Sequence, residues 1–150
     1  KIKKIIDLGN MPLAGGFIKK IDSKKKEIKV PLICYYCDKC SLLQVKDSIN
    51  SNILFDDYNY SSSTIPALKL HFKDYADKIK KKFKVKKEVK LIEFGSNDGV
   101  LLKEFVNDKK FTCLGVDPAI NIAKIAKRDG VNVYVGNFDT TAALEIENKN

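Results

Sequence analysis

Arginine, histidine and methionine are almost missing from this 150-residue chain: Arg128, His71 and Met11 are each the only residue of their kind. With one arginine among 28 basic residues, the formal net charge of +9 is a lysine excess. Alongside abundant asparagine and isoleucine, it reads as compositional background and not as a phosphate-reading patch, so nucleic acid is not an expected partner. No apolar run reaches the roughly 18–20 residues that span a bilayer, and no membrane partner is expected. Residues 1–6 (Lys-Ile-Lys-Lys-Ile-Ile) offer no apolar signal core and no small-residue cleavage site, which places the chain in the cytoplasm. There, disulfides among its 4 cysteines are not expected. A hydrophobic content of 44% makes it globular.

Three regions follow one another. Residues 1–46 hold short β-like runs, Ile5-Ile6 and Ile28-Lys29-Val30, punctuated by Gly9-Asn10, Pro12 and Gly15-Gly16. Such a segment buries little and calls for a staple. Residues 47–87 hold a polar stretch with Phe55, Tyr58 and Tyr60, then a helix over 67–83. Leu68, Phe72, Tyr75, Ala76, Ile79 and Phe83 fall on one face of that helix, with Pro66 in the first turn and Thr64 as a cap. The run Lys80-Lys81-Lys82 suits the negative end of the helix dipole. Residues 88–150 alternate strand 89–94, helix 98–106, strand 111–116, helix 119–128, strand 131–135 and a helix starting near 140. That is a parallel α/β sheet with right-handed crossovers. Three such strands leave an open edge and a bare face, and position 1 is not methionine, so the chain is expected to be an internal piece of a longer protein.

The densest chemistry lies in Glu93-Phe94-Gly95-Ser96-Asn97-Asp98-Gly99. An apolar strand runs into a glycine turn and then a helix start, the arrangement that cradles nucleotide-like cofactors. Asn97 stands where a dinucleotide turn needs its second glycine, so the pyrophosphate reading fails. Asp117-Pro118 ends the next strand, where an acid can accept hydrogen bonds from both ribose hydroxyls. The form E-x-G-x-x-x-G resembles the first motif of S-adenosylmethionine-dependent methyltransferases. That resemblance implies cofactor contacts for Glu93, Gly95, Ser96, Asn97, Asp98, Gly99, Asp117 and Pro118, with Asn137 and Phe138 flanking the adenine.

Cys37-x2-Cys40 has the spacing of a zinc knuckle. Two thiolates do not make a four-coordinate site, so either the site is vestigial or its other half lies before Lys1. Cys34 has the spacing to be a third ligand, and Cys113 sits in a strand expected to be buried.

Asp7-Leu8-Gly9-Asn10-Met11-Pro12-Leu13-Ala14-Gly15-Gly16-Phe17, Pro31-Leu32, Cys37 to Gln44, and Phe55-Asp56-Asp57-Tyr58-Asn59-Tyr60-Ser61-Ser62-Ser63-Thr64 resemble, in order and spacing, the sugar C-methyltransferases. These enzymes methylate a carbon of nucleotide-linked keto-deoxysugars. The resemblance implies an α/β protein in which a small zinc-binding β-rich region and a helical linker precede the first half of a Rossmann-like class I methyltransferase domain. It implies S-adenosyl-L-methionine and Zn²⁺ as cofactors, a nucleotide-sugar substrate, and Cys37 and Cys40 as the second ligand pair, the first lying upstream of Lys1. Cys34 becomes a packing residue. Tyr58, Tyr60, Ser62 and His71 become candidate catalytic residues; a phenol there can orient substrate or steady an enolate. On the residues alone, the tyrosines can equally pack on the 67–83 helix, and His71 can be a half-buried, hydrogen-bonded side chain. The general base is expected beyond residue 150, so residues 1–150 alone are expected to be inactive and to bind cofactor weakly. Another methyltransferase, or a zinc-stapled module binding nucleic acid through its lysines, remains the alternative.

Overall fold

A computed structural model describes residues 1–15, 17, 26–46, 49–55, 58–83 and 87–149. Gly16, Asp56-Asp57 and part of the 47–87 stretch lie outside the described residues. The chain divides into two compact units, Lys1–Leu54 and Phe55–Asn150.

The first unit is an antiparallel sheet in the order β1-β2-β3: β1 (Ile2–Pro12), β2 (Lys29–Cys37) and β3 (Leu43–Val45). β1 is far longer than the Ile5-Ile6 run, because Gly9-Asn10 does not end it. Its pairing with β2 slips between Lys4 and Ile6 and again between Asp7 and Asn10, which are bulges. At the second, Gly9 takes φ +71° and its N–H donates to Asp7 Oδ1 at 3.0 Å. Pro31 is tolerated inside β2 because β3 reaches only Cys34–Tyr36, leaving Pro31 on a free edge. Every residue of β1 is exposed. This sheet has little core of its own, in keeping with a segment that depends on a staple. A short helix, α1 (Ser51–Phe55), follows in a stretch expected to be irregular.

The second unit is built on a parallel sheet in the order β4-β5-β6: β4 (Val89–Phe94), β5 (Phe111–Asp117) and β6 (Val133–Val135). Register runs from Val89 opposite Phe111 to Phe94 opposite Val116, and Asp117 lies opposite Val135. The carboxyl ends of the three strands therefore meet at one edge. Right-handed crossovers put the β4–β5 connection and α3 (Ile120–Arg128) on one face. Leu102, Phe105, Phe111, Cys113, Ala123, Ala126, Val131 and Val133 form the core there, with Leu91 and Val106 against it. α4 (Thr140–Lys149) closes the chain.

The expected helix 98–106 is instead a series of turns with one 3-10 turn at Leu102–Glu104. Asn97 (φ +50°) and Gly99 (φ +73°) are both left-handed, which delays helical entry to Val100. The short stretch that remains mixes i→i−4 bonds (Lys103 to Gly99, Val106 to Leu102) with i→i−3 bonds (Glu104 to Leu101, Phe105 to Leu102).

α2 (Pro66–Phe83) forms as expected, but its apolar stripe is only partly covered. Ala76 is buried and Ile79 packs on the core, while Tyr75 and Phe83 are exposed. Lys80 donates to Glu104 O and lies 5.0 Å over the Phe105 ring, pinning the helix at that point. Thr64 is not the helix cap: its hydroxyl turns back to Ser61 O at 2.7 Å, and Ile65 O receives the first helical N–H groups, from Leu68 and Lys69. Among the described residues no helix is long and apolar enough to cross a membrane.

Two left-handed glycines separate backbone cost from packing cost. Around Gly130 (φ +85°) a Cβ meets nothing within 4 Å, whereas at Gly99 it would lie 3.0 Å from Val131 Cγ2 and 3.2 Å from Ala126 Cβ. Gly130→Ala is expected to cost about 1 kcal/mol and Gly99→Ala about 2–4 kcal/mol in urea unfolding.

Candidate cofactor cleft and zinc knuckle

The cleft is built at the carboxyl edge of β4, β5 and β6. Gly95 and Ser96 both send their N–H to Val116 O, at 2.8 and 3.2 Å, folding the turn back onto β5. Ser96 fits only because residue 115 is glycine: a Cβ there would sit 2.3 Å from Ser96 Oγ. The Ser96 hydroxyl is therefore turned onto β5 and covered. Gly95 (φ +68°) has open space where a Cβ would stand, so a ligand can approach its backbone.

Asp117 is the joint of the edge. Its Oδ2 accepts the Asn97 N–H at 2.8 Å and its Oδ1 the Ala119 N–H at 2.9 Å, while its carbonyl accepts Gly136 N–H at 3.1 Å. One buried side chain thus fixes the glycine turn and the entry into α3. A carboxylate has about four lone-pair sites, so two remain for hydroxyl donors.

The 58–63 loop is tied to the same turn. Asn97 Nδ2 donates to Tyr60 O at 3.0 Å, and Asn97 Oδ1 accepts Ser62 N–H at 2.8 Å. Asp98 Oδ2 accepts the Ser61 hydroxyl and, at 2.8 Å, the Ser63 N–H. Asn121 Nδ2, from the first turn of α3, donates to Tyr58 O at 2.7 Å. The Tyr58 and Tyr60 rings meet edge to face with centroids 6.4 Å apart, and Phe55 lies 5.5 Å from Tyr58. Tyr58, Tyr60 and Ser62 are thereby brought to the turn.

His71 is not among them. It is exposed on α2 and stacks on Tyr75 with ring centroids 6.4 Å apart, so the expected half-buried setting is not found. α2 turns this face to solvent because it touches the core further along, through Ala76 and Ile79. Pro118 is half-buried between Asp117 and α3, and Asn137 is exposed in the loop after β6. Phe138 follows it, with its ring on that of Phe94 at a centroid distance of 4.0 Å. Phe138 also borders an apolar hollow of about 440 Å³ lined by Ile92, Leu114, Ala143 and Ile146. None of the glycine-turn residues lines it; it is the sheet face on the α4 side.

Three carboxyl groups crowd the edge. Burial alone would raise the Asp98 pKa, but hydrogen bonds from Ser61 and Ser63, with Lys103 nearby, hold it below the ordinary range. Glu93 has no such donors: burial first, then the charges of Asp117 and Asp98, push it up to about 7. Glu93 Oε2, Ser96 Oγ and Asp98 Oδ1 are buried without a hydrogen-bond partner, so the cleft has spare polar capacity facing inward.

In the first unit, Cys37 ends β2 and residues 38–40 form a tight turn. Ser41, left-handed at φ +58°, donates to Cys37 O at 2.9 Å. The backbone N–H groups of Cys40 and Lys39, then the Cys40 thiol, aim at the Cys37 sulfur and lower its pKa, favouring the thiolate a metal requires. The pair has the form of half a zinc site. Cys34 stands three residues from Cys37 in the same strand, an odd spacing that sends their side chains to opposite faces. Among the described residues no group of three or more His, Cys, Asp and Glu comes together as a metal site.

Ser61, Ser63 and Asn121 were missed by sequence reasoning. The Ser61-Ser62-Ser63 run was visible, as was an asparagine, a modest helix former, in the first turn of α3.

A family model described as "Putative zinc binding domain" matches residues 1–55. The C-methyltransferase NovU of Streptomyces niveus is 29% identical over 142 residues, covering 95% of this chain and 34% of the relative. The chain thus spans about a third of that curated relative's length. The first match is to a zinc-binding domain over about the first third of the chain, and the second is to a C-methyltransferase along nearly all of it.

Glu93 gives the edge a pH signature. Its folded-state pKa of about 7 lies above its ordinary 4.5, so its contribution to stability is fully present below pH 4.5 and is lost as pH rises to 7. Glu93→Gln should remove that decline, on the order of 2–3 kcal/mol, in urea midpoints compared at pH 5 and pH 8. For the knuckle, Cys37→Ser or Cys40→Ser in the full-length protein should release a zinc bound at about one per chain, whereas Cys34→Val should leave metal content unchanged by atomic absorption.

Proposed function

Proceeding from the sugar C-methyltransferase family that these matches support, we propose that this chain is the zinc- and cofactor-binding part of an S-adenosyl-L-methionine-dependent C-methyltransferase. Its substrate is a nucleotide-linked keto-deoxysugar, and it works in the cytoplasm, where its free thiols stay reduced. The observation that carries the reading is the joint at Asp117: an acid at a strand tip holds the backbone of a glycine turn while keeping lone pairs for a ribose.

When bound, the cofactor supplies an electrophilic methyl group on a sulfonium. The open backbone at Gly95 receives its methionine part, with Gly99 packing the turn onto the core, Asp117 its ribose, and Asn137 and Phe138 its adenine. Carbon methylation further requires loss of a proton beside the sugar carbonyl, so that the resulting enolate carbon can attack in line. Tyr58 and Tyr60, held against the turn, orient the sugar and offer a phenol to the enolate oxygen. Cys37 and Cys40 supply half of a structural zinc site that staples the exposed first sheet.

The test is calorimetric titration of S-adenosylhomocysteine into the full-length protein, with zinc assayed on the same sample. One-to-one binding is expected, weakened at least about tenfold by Asp117→Asn through loss of a charge-assisted acceptor. No binding by metal-loaded protein would overturn the reading.

A further inference from the structure

The polar side chains of the glycine turn spend their hydrogen bonds on another part of the chain. Asn97 uses both ends of its amide on the 58–63 loop, giving to Tyr60 O and taking from Ser62 N–H. Asp98, wholly buried, takes the Ser61 hydroxyl and the Ser63 N–H on one oxygen. Four successive residues, 60 to 63, are thus gripped by two adjacent side chains across 35 to 37 positions of sequence. Asn121 grips the same loop at Tyr58 O. The two tyrosines are themselves among these fixed points, each held at its carbonyl.

The backbone of the turn is organised separately. The Asn97 N–H goes to Asp117, and Gly95 and Ser96 bond to Val116 O. A side-chain change at residue 97 can therefore leave the turn's own hydrogen bonds standing. Asn97 is also left-handed (φ +50°), a conformation glycine adopts without strain.

We infer that Asn97 and Asp98 are positioning residues and not cofactor ligands through their side chains: they clamp the Tyr58–Ser63 loop to the cofactor turn, so that the methyl donor and the tyrosines facing the sugar are placed by one rigid piece. The inference rests on the proposed methyltransferase reading for its consequence, but the clamp itself is a property of the fold.

The experiment compares full-length wild type with Asn97→Gly, Ser61→Ala and Ser61→Thr. Asn97→Gly removes the clamp and keeps the turn's backbone; Ser61→Ala removes a donor from the loop side, away from the turn; Ser61→Thr restores the hydroxyl. Three quantities are read: amide exchange at Ser62 and Ser63, affinity for S-adenosylhomocysteine, and methyl transfer to a nucleotide-linked keto-deoxysugar. In Asn97→Gly the Ser62 amide should exchange about 5- to 10-fold faster, while S-adenosylhomocysteine affinity stays within about 2-fold. In Asn97→Gly and Ser61→Ala, kcat should fall at least about 5-fold with KM for S-adenosylmethionine unchanged, and Ser61→Thr should recover most of it.

Two results would overturn the clamp. One is a tenfold or greater loss of S-adenosylhomocysteine affinity in Asn97→Gly with Ser62 and Ser63 still protected, which would make Asn97 a cofactor ligand. The other is an unchanged kcat in both Asn97→Gly and Ser61→Ala. If wild type binds no S-adenosylhomocysteine, the cofactor reading falls. The exchange comparison then decides the clamp alone: faster exchange upholds it and unchanged exchange removes it.

Discussion

Everything at the carboxyl edge of the parallel sheet hangs on how Asp117 is held. Its side chain is almost fully buried, yet both oxygens receive backbone N–H groups, one from the turn after β4 and one from the entry to α3. Without those donors a carboxylate at this depth would be expensive. With them it acts as a polar cross-brace between two βα units that also share strand pairing and one apolar core. Gly115, two residues earlier, makes room for Ser96 and lets the turn come down onto β5. Acid and glycine work together: one pulls the turn in, and the other leaves the space for it.

Packing three carboxyl groups so close forces a division among them. Asp98 and Asp117 collect donors from backbone and serines, and those donors hold the Asp98 carboxyl below the ordinary range. Glu93 sits with one oxygen unpartnered and its pKa near 7. At neutral pH the edge therefore holds a carboxyl group poised between its acid and anionic forms, beneath a site proposed to receive a cationic sulfonium. Such a group can adjust its charge to what is bound above it more cheaply than a fixed anion can.

Much of this was legible in the sequence, for reasons that can be named. Leu91-Ile92 before Gly95, and Leu114-Gly115-Val116 before Asp117, mark apolar strands ending in turn chemistry, and the structure puts a strand at both, β5 largely buried and β4 largely exposed. The knuckle spacing of Cys37 and Cys40 was equally readable, because its geometry is local. What escaped was non-local or masked by punctuation. Gly9-Asn10 signalled a turn but made a bulge, which carried β1 through to Pro12. The stripe on α2 promised a buried face, but periodicity does not say how much of a helix the core will meet, and Tyr75 and Phe83 stayed outside. Asn97 and Asp98 read as cofactor contacts because they stand in the glycine turn. Nothing short of the tertiary pairing reveals that their side chains turn to residues 60–63.

That pairing has a cost in chain entropy, and the fold contains the means of reducing it. Joining Ser62 to Asn97 closes a ring of 35 positions. A flexible ring of that size forfeits freedom roughly as (3/2)RT ln n, so each doubling of length adds about 0.6 kcal/mol. Here 18 of the enclosed residues are α2, already rigid and moored to the core by Ala76, Ile79 and Lys80. The helix works as a strut of fixed length that takes up about half of the ring. An exposed, lysine-rich helix that looks idle in the finished molecule thus lowers the entropy lost in holding the 58–63 loop to the glycine turn.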